Sequence, residues 1–255
     1  MSLWLENIHI EIAGKTICKS LNIEFNPGEI WGVLGRNGSG KTTLLHVLAN
    51  LMTAQSGKIS LDEQPLCDVK RIKLARKIGI LLQNEELAFP VSVWDAVLCG
   101  RHPHIDRWQQ VDAENKNIVQ AAIDTVDLRG FEKRDSGSLS GGERRRVFIA
   151  TLFAQNPEIM LLDEPLNHLD IAHQMATLKH FKGLADEQNK TIICVLHDLN
   201  RAMQVCDKFI FLYGEGEVEF GDASKMMTVE RLELLLGYPI ELLKQGEKKF
   251  FSPVW

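Results

Sequence analysis

The sequence predicts an α/β fold built around a mostly parallel sheet. Two observations carry that expectation. Short apolar runs of strand length alternate with helical patterns, and one of the runs leads directly into a glycine-rich loop followed by a helix.

Residues 30–34 are that run, entered through the turn pair Pro27-Gly28, and residues 42–51 read as the helix beyond the loop. Residues 78–82 form a second apolar strand that ends at Gln83. Residues 159–162, entered through Asn156-Pro157, form a third, and 191–196 a fourth. The stretch from Pro90 to Gln155 has a different texture. Val119, Ala122, Ile123 and Val126 recur at helical spacing, so the stretch reads as a helical lobe inserted between strands of the core. Thr228 and Gly237 bracket a short leucine-rich helix as N-cap and C-terminal stop. No internal repeat or low-complexity tract interrupts the pattern. One domain over 1–255 is expected, with a core lobe at about 1–89 and 156–255 and a helical lobe at about 90–155.

The 255 residues, 45% hydrophobic and 25% charged, are enough to bury a sizeable core. A formal charge of -5 offers no bulk positive field to nucleic acid or acidic lipid, and no nucleic-acid partner is expected. Cys18, Cys67, Cys99, Cys194 and Cys206 are scattered without a C-x-x-C pair, which suits buried thiols better than disulfides or a zinc site. The first twelve residues lack the basic start and apolar run of a signal peptide, and no segment approaches the roughly 20 apolar residues of a membrane span. The expectation is a cytosolic protein, or one attached to a membrane through a partner.

Gly35-Arg36-Asn37-Gly38-Ser39-Gly40-Lys41-Thr42 fits G-x-x-x-x-G-K-[ST] at every position, with Thr43 next at the helix start. Glycines let backbone N–H groups turn inward around phosphates, and the following helix offers its positive N-terminal end. Lys41 suits the β- and γ-phosphates, and the Thr42 hydroxyl suits Mg²⁺. A plain glycine-rich turn would share the glycines, but the strand before and the helix after favour the phosphate cradle. Such a loop names no activity by itself, since kinases, switches and motors share it. Residues 159–162 narrow the choice, because this buried strand ends in Asp163-Glu164. Packing explains two adjacent acids poorly. Asp163 suits the shell of the metal, and Glu164 suits a general base polarising the attacking water, a role worth roughly 10²–10⁴ in rate.

Leu139-Ser140-Gly141-Gly142-Glu143 then makes the pattern specific. The sequence resembles the ATP-binding subunits of ABC transporters over nearly its whole length, with six motifs in order: the phosphate loop, Gln83, this signature, the two acids, Asn167-His168-Leu169-Asp170 and His197. The resemblance implies a P-loop NTPase core with a mostly parallel sheet, an N-terminal antiparallel β portion and an inserted helical lobe. It implies that ATP lies on Gly35, Arg36, Asn37, Gly38, Ser39, Gly40, Lys41, Thr42 and Thr43, and that Thr42, Gln83 and Asp163 serve Mg²⁺. Glu164, His197 and Gln83 then serve hydrolysis. It also implies a head-to-tail homodimer in which Ser140, Gly141 and Gly142 act in trans on the partner's ATP. Arg144, Arg145 and Arg146 follow on a long helix, residues 142–155, whose N-terminus is a second phosphate-binding end.

Two positions depart from the family pattern. Ile12, before Ala13-Gly14, stands where an aromatic residue usually stacks on adenine, with Trp4 or Phe25 as substitutes. Leu166 stands where many relatives have threonine. Gly100-Arg101-His102-Pro103-His104 and Leu169-Asp170-Ile171-Ala172-His173-Gln174 resemble stretches of the iron-siderophore, haem and cobalamin importer subgroup, as does a chain without a regulatory extension after Trp255. For His102 and His104 the plain reading is an exposed loop rather than a metal site. Membership implies integral membrane permease subunits, a substrate-binding protein, and a place on the cytoplasmic face of the cell membrane. Residues 84–97, with Leu87, Phe89, Val91 and Trp94, are where relatives meet the permease.

The main competing reading is a soluble ABC-type ATPase of DNA repair, ribosome function or cluster assembly. Only about 120 residues separate Lys41 from Asp163, with no sustained heptads, unlike the coiled-coil repair proteins. A single motif set disfavours the ribosome-acting proteins, which carry two, and the Gly100–His104 stretch speaks against cluster assembly. A nucleotide-sensing module without hydrolysis is disfavoured by Glu164 and His197.

Overall fold

The computed structural model describes residues 1–83, 90–106, 110–246 and 248–254. In chain order the first half forms β1 (Leu3–Ile12), β2 (Lys15–Phe25), β3 (Ile30–Gly35), α1 (Lys41–Leu48), β4 (Ser56–Leu61), β5 (Gln64–Pro65), α2 (Arg71–Lys77), β6 (Ile78–Leu81), α3 (Val93–Cys99) and α4 (Ala113–Thr125). The second half forms α5 (Gly141–Gln155), β7 (Ile159–Asp163), α6 (Ile171–Gln188), β8 (Thr191–Val195), α7 (Leu199–Val205), β9 (Lys208–Gly214), β10 (Glu217–Asp222), α8 (Ala223–Met226), α9 (Val229–Leu236), β11 (Ile240–Gln245) and β12 (Lys248–Pro253). The chain divides into two compact units, Met1–Asp68 with Thr191–Trp255, and Val69–Lys190.

The first unit holds the predicted N-terminal antiparallel portion. Leu3, Leu5, Ile8 and Ile10 of β1 are buried while Trp4 and Glu6 are exposed, the alternation of a strand with one covered face. β1 pairs antiparallel with both β2 and β4. Beside it, β3 runs parallel to β8 and to β9, and β10 returns antiparallel to β9. The parallel strands are apolar along their length because they are covered on both faces: β8 is wholly buried, and Phe209 and Phe211 of β9 are sealed from solvent. Burying one such side chain is worth about 1.5–3 kcal/mol.

Helix α1 stops at Leu48, three residues short of the expected end at residue 51. Asn50 takes a left-handed φ of 56°, and the N–H groups of Leu51 and Met52 both return to the His46 carbonyl, which closes the helix early. The C-terminal expectations match: Thr228 caps α9 and Gly237 ends it at φ 78°.

In the second unit β6 runs parallel to β7, with Gly79 opposite Met160 and Leu81 opposite Leu162. The stripe Val119, Ala122, Ile123 and Val126 is buried along α4 and its C-cap, within a helical lobe made with α3 and α5. Phe153 of α5 packs edge-on against Phe181 of α6, 5.6 Å between centroids. Among the described residues no helix is long and apolar enough to cross a membrane. All five cysteines are free thiols; Cys18, Cys194 and Cys206 are buried, whereas Cys67 and Cys99 are exposed.

Candidate active site

The phosphate loop is built in the first unit from the end of β3 to the start of α1. Gly38 and Gly40 adopt φ of 74° and 102°, which a side chain would resist, and Gly40 is the N-cap of α1. A turn closed by the Ser39 N–H on the Arg36 carbonyl, 3.1 Å, shapes the loop. Lys41 is buried, and its ammonium donates to the carbonyls of Gly35 (2.8 Å) and Arg36 (3.1 Å), folded back over the loop. The Ser39 hydroxyl is buried with no hydrogen-bond partner among the described residues, a polar atom facing a cradle that a phosphate oxygen would complete. Arg36, Asn37 and Gly38 are exposed at the rim, and Thr42 and Thr43 are half-buried. Lys15, absent from the sequence expectations, donates to the Gly38 carbonyl at 2.5 Å.

Strand register places His197. Val33 of β3 lies opposite Val195 of β8, so the phosphate loop and His197 leave the sheet from neighbouring C-terminal strand ends. In open α/β sheets that edge is where ligands bind. His197 is exposed, just before Asp198 caps α7.

The same logic operates in the second unit. Leu81 of β6 lies opposite Leu162 of β7, so Gln83 and the acid pair leave adjacent parallel strands at their C-terminal ends. Asp163 is 1% exposed, while Glu164 is half-buried and holds a left-handed φ of 48°. A non-glycine residue there is uncommon and needs neighbours to hold it. Asn167 is one of them: its side chain donates to Glu164 Oε2 at 2.5 Å. Within this unit the carboxylate of Asp163 and the amide oxygen of Gln83 are hard oxygen donors of the kind that suits Mg²⁺.

Ser140 caps α5 in a reciprocal box: its hydroxyl accepts from the Glu143 N–H, and its own N–H donates to Glu143 Oε2 at 2.7 Å. That bonding, with the Ser140 backbone N–H first, holds the Glu143 carboxyl below its ordinary pKa. Gly142 makes room for the next motif, since a Cβ there would stand 2.8 Å from the His168 carbonyl oxygen. The arginines that follow do not all serve an open anion site. Arg145 is buried against backbone carbonyls, and Arg146 donates to the carbonyls of Val126 and Asp127 just past α4.

The Gly100–His104 stretch is likewise internal rather than a plain exposed loop. Arg101 is 8% exposed and donates to Asn115 Oδ1 and the Ala154 carbonyl, both at 2.7 Å. His104 Nε2 meets the Gln155 carbonyl at 2.9 Å, so the stretch satisfies the open C-terminal end of α5, the helix that begins at the signature. His102 remains exposed. In the second subgroup stretch, Asp170 caps α6 through the His173 N–H, and Gln174 donates to the Leu166 carbonyl. Of the expected permease-facing residues, Leu87 and Phe89 lie outside the described residues. Val91 and Trp94 are half-buried.

A phosphate loop, a signature-capped helix and an acid pair at parallel strand ends define a nucleotide-hydrolysing cassette. Residues 18–167 match the family model described as ABC transporter. The chain is 34% identical to the petrobactin import ATP-binding protein FpuC of Bacillus anthracis, over 92% of this chain and 86% of that protein. It is also 34% identical to the hemin import ATP-binding protein HmuV of Pseudomonas fluorescens, covering 96% of each. A solved metal-chelate type ABC transporter in an inward-facing conformation superposes with a TM-score of 0.85 at 30% identity, over 100% of this chain and 98% of that one. The dimeric structure of a bacterial ABC transporter cassette superposes at 0.75 with 26% identity, over 86% and 98%. The chain belongs to the ABC transporter family, as an ATP-binding and ATP-hydrolysing subunit.

Proposed function

We propose that the chain powers import of an iron-siderophore, haem or cobalamin-type substrate, as a head-to-tail homodimer on the cytoplasmic face of the cell membrane. It acts there through separate permease subunits, served by a substrate-binding protein. The observation that carries the reading is the Gly100–His104 lock on α5, a subgroup stretch joined to an intact set of ATPase motifs. The import proteins for petrobactin and hemin among its relatives support the same class of cargo.

In this reading the backbone N–H groups of residues 35–43 and the Lys41 ammonium hold the phosphates of ATP. Thr42, Gln83 and Asp163 would hold Mg²⁺, which when bound would offset the negative charge of the phosphates. Glu164 accepts a proton from water as the water oxygen bonds to the γ-phosphorus and the bond to the β-phosphate oxygen breaks. His197 holds the γ-phosphate and that water in line. Ser140, Gly141 and Gly142 bind the partner's ATP, so closure needs two copies. Closure draws its energy from tighter binding of ATP than of ADP to the closed dimer.

A Glu164→Gln chain is expected to bind ATP, dimerise and fail to turn over; hydrolysis at the wild-type rate would remove Glu164 from its role. The transport reading is tested by recovering the tagged chain from its host's membranes in mild detergent. A polytopic membrane protein in the eluate supports it, and recovery from the soluble fraction alone points to a soluble ABC ATPase.

A further inference from the structure

Arg145 lies one turn into α5, and among the described residues its side chain donates to four backbone carbonyls. It is 4% exposed. Its Nε donates to the Pro165 carbonyl at 3.2 Å, Nη1 to the Leu82 carbonyl at 2.6 Å, and Nη2 to the carbonyls of Asp163 and Glu164, both at 2.9 Å. A guanidinium has five N–H donors in a fixed fork, and here the fork spans two backbone segments. Those segments are the residue before Gln83 and the run of three carbonyls from Asp163 through Glu164 to Pro165. Glu164 moreover holds its left-handed φ of 48°, and Arg145 grips the carbonyl of that same residue.

We propose that Arg145 is a positioning residue: from the signature helix it fixes the backbone that aims Glu164 and presents Gln83. The inference rests on the reading of Glu164 as general base. It gives the signature a second role. Ser140, Gly141 and Gly142 open the helix on which Arg145 rides, so a shift of that helix on meeting the partner's nucleotide moves this chain's own base. Each copy then senses the neighbour's ATP through a single side chain.

The test uses the full-length chain carrying Arg145→Met or Arg145→Lys, each alone and combined with Glu164→Gln. Rates are expressed per chain that binds trinitrophenyl-ATP, which removes any unfolded fraction. Arg145→Met is expected to lower kcat about 10- to 100-fold, the cost of a misplaced catalytic group, with KM for ATP within about twofold. Arg145→Lys falls between, because a point-like ammonium cannot reach all four carbonyls on the two segments at once. In the Glu164→Gln background, read as the slow residual conversion of bound ATP in single turnovers with the protein in excess, either change is expected to cost less than about twofold, since the base it aims is already gone.

Wild-type kcat in Arg145→Met overturns the proposal. So does a loss that recurs in full in the Glu164→Gln background, or one explained entirely by chains that no longer bind nucleotide. If Arg145→Met does not fold, the Arg145→Lys cycle decides by the same criteria. Failure of the underlying reading is separate and visible without any Arg145 variant: Glu164→Gln would then hydrolyse ATP like the wild type.

Discussion

Asn167 grips Glu164 twice: its Nδ2 donates to Glu164 Oε2 at 2.5 Å, and its backbone N–H reaches the Glu164 carbonyl at 3.2 Å. The first bond orients the carboxylate, and the second closes the turn in which Glu164 holds a positive φ. Asn167→Ala removes the first and leaves the second. It is expected to lower kcat about tenfold with KM for ATP little changed, the signature of a group that aims a base without binding substrate. Asn167→Asp sets a second carboxylate beside the first. A neighbouring negative charge disfavours ionisation, so the acidic limb of the kcat–pH profile moves to higher pH. Steady-state rates from pH 5 to 8 on both variants test this, and a profile identical to wild type in Asn167→Asp would detach Asn167 from the base.

Gly141 and Gly142 are both signature glycines, but only one is sterically required within the chain. A Cβ on Gly142 meets the His168 carbonyl oxygen at 2.8 Å, whereas a Cβ on Gly141 meets the His168 side chain at an ordinary 3.9 Å. Gly142→Ala must displace backbone, and overpacking of that kind costs about 1–3 kcal/mol. Gly141→Ala carries no such clash, and alanine favours a helix over glycine by about 1 kcal/mol. Thermal melts without nucleotide are therefore expected to show a lower Tm for Gly142→Ala and an unchanged or higher one for Gly141→Ala. Equal melting of the two would place His168 elsewhere.

The legible part of the molecule was the part governed by short-range chemistry. Strand-length apolar runs, the helical stripe on α4, the Thr228 cap and the phosphate loop follow from local rules, and they appear where the residues put them. The partners of the arginines after the signature carry no local signal. The helix N-terminus at Ser140 is local, but Arg145 and Arg146 face carbonyls that only tertiary folding brings near. His104 was misjudged for the same reason, since its partner Gln155 is 51 residues away. Asn167 and Lys15 carried no signal of their own. The first was visible only as a member of a family motif, and the second only once β1 and β2 brought it to Gly38.

Burial lowers the pKa of His104 below its ordinary 6.5, with the Gln155 carbonyl opposing and the Arg101 and Arg76 charges adding to the shift. The folded chain therefore prefers the neutral ring. The stabilisation from this preference is full above 6.5, where the unfolded ring is also neutral, and is lost as pH falls from 6.5 through the lower folded value. His180, also lowered by burial, adds in the same direction. Denaturant unfolding at pH 7.5 and 5.5 is expected to show lower stability at 5.5, and His104→Gln is expected to flatten that slope. A slope unchanged by the substitution would exclude His104 as a contributor.

Ile12 ends β1 opposite Lys15, whose ammonium is bonded to the Gly38 carbonyl. The turn between the first two strands is thus tethered to the phosphate loop, which puts a half-buried isoleucine beside the nucleotide's expected position. Aliphatic carbon offers adenine contact area without a π-face, and stacking on an aromatic ring is worth about 1–3 kcal/mol per base. Ile12→Tyr is expected to tighten ATP binding about tenfold, since 1.4 kcal/mol is a factor of ten. Because the gain comes from the base alone, inorganic triphosphate must bind both proteins equally. Competition of ATP and triphosphate against trinitrophenyl-ATP separates the cases. Tighter ATP with unchanged triphosphate puts residue 12 under the adenine; unchanged affinity for both puts the base elsewhere, with Trp4 and Phe25 left to divide by exposure. Phe25 is sealed in the core against Trp31, 5.0 Å between centroids, while Trp4 is 46% exposed, so Trp4 is then the next residue to replace.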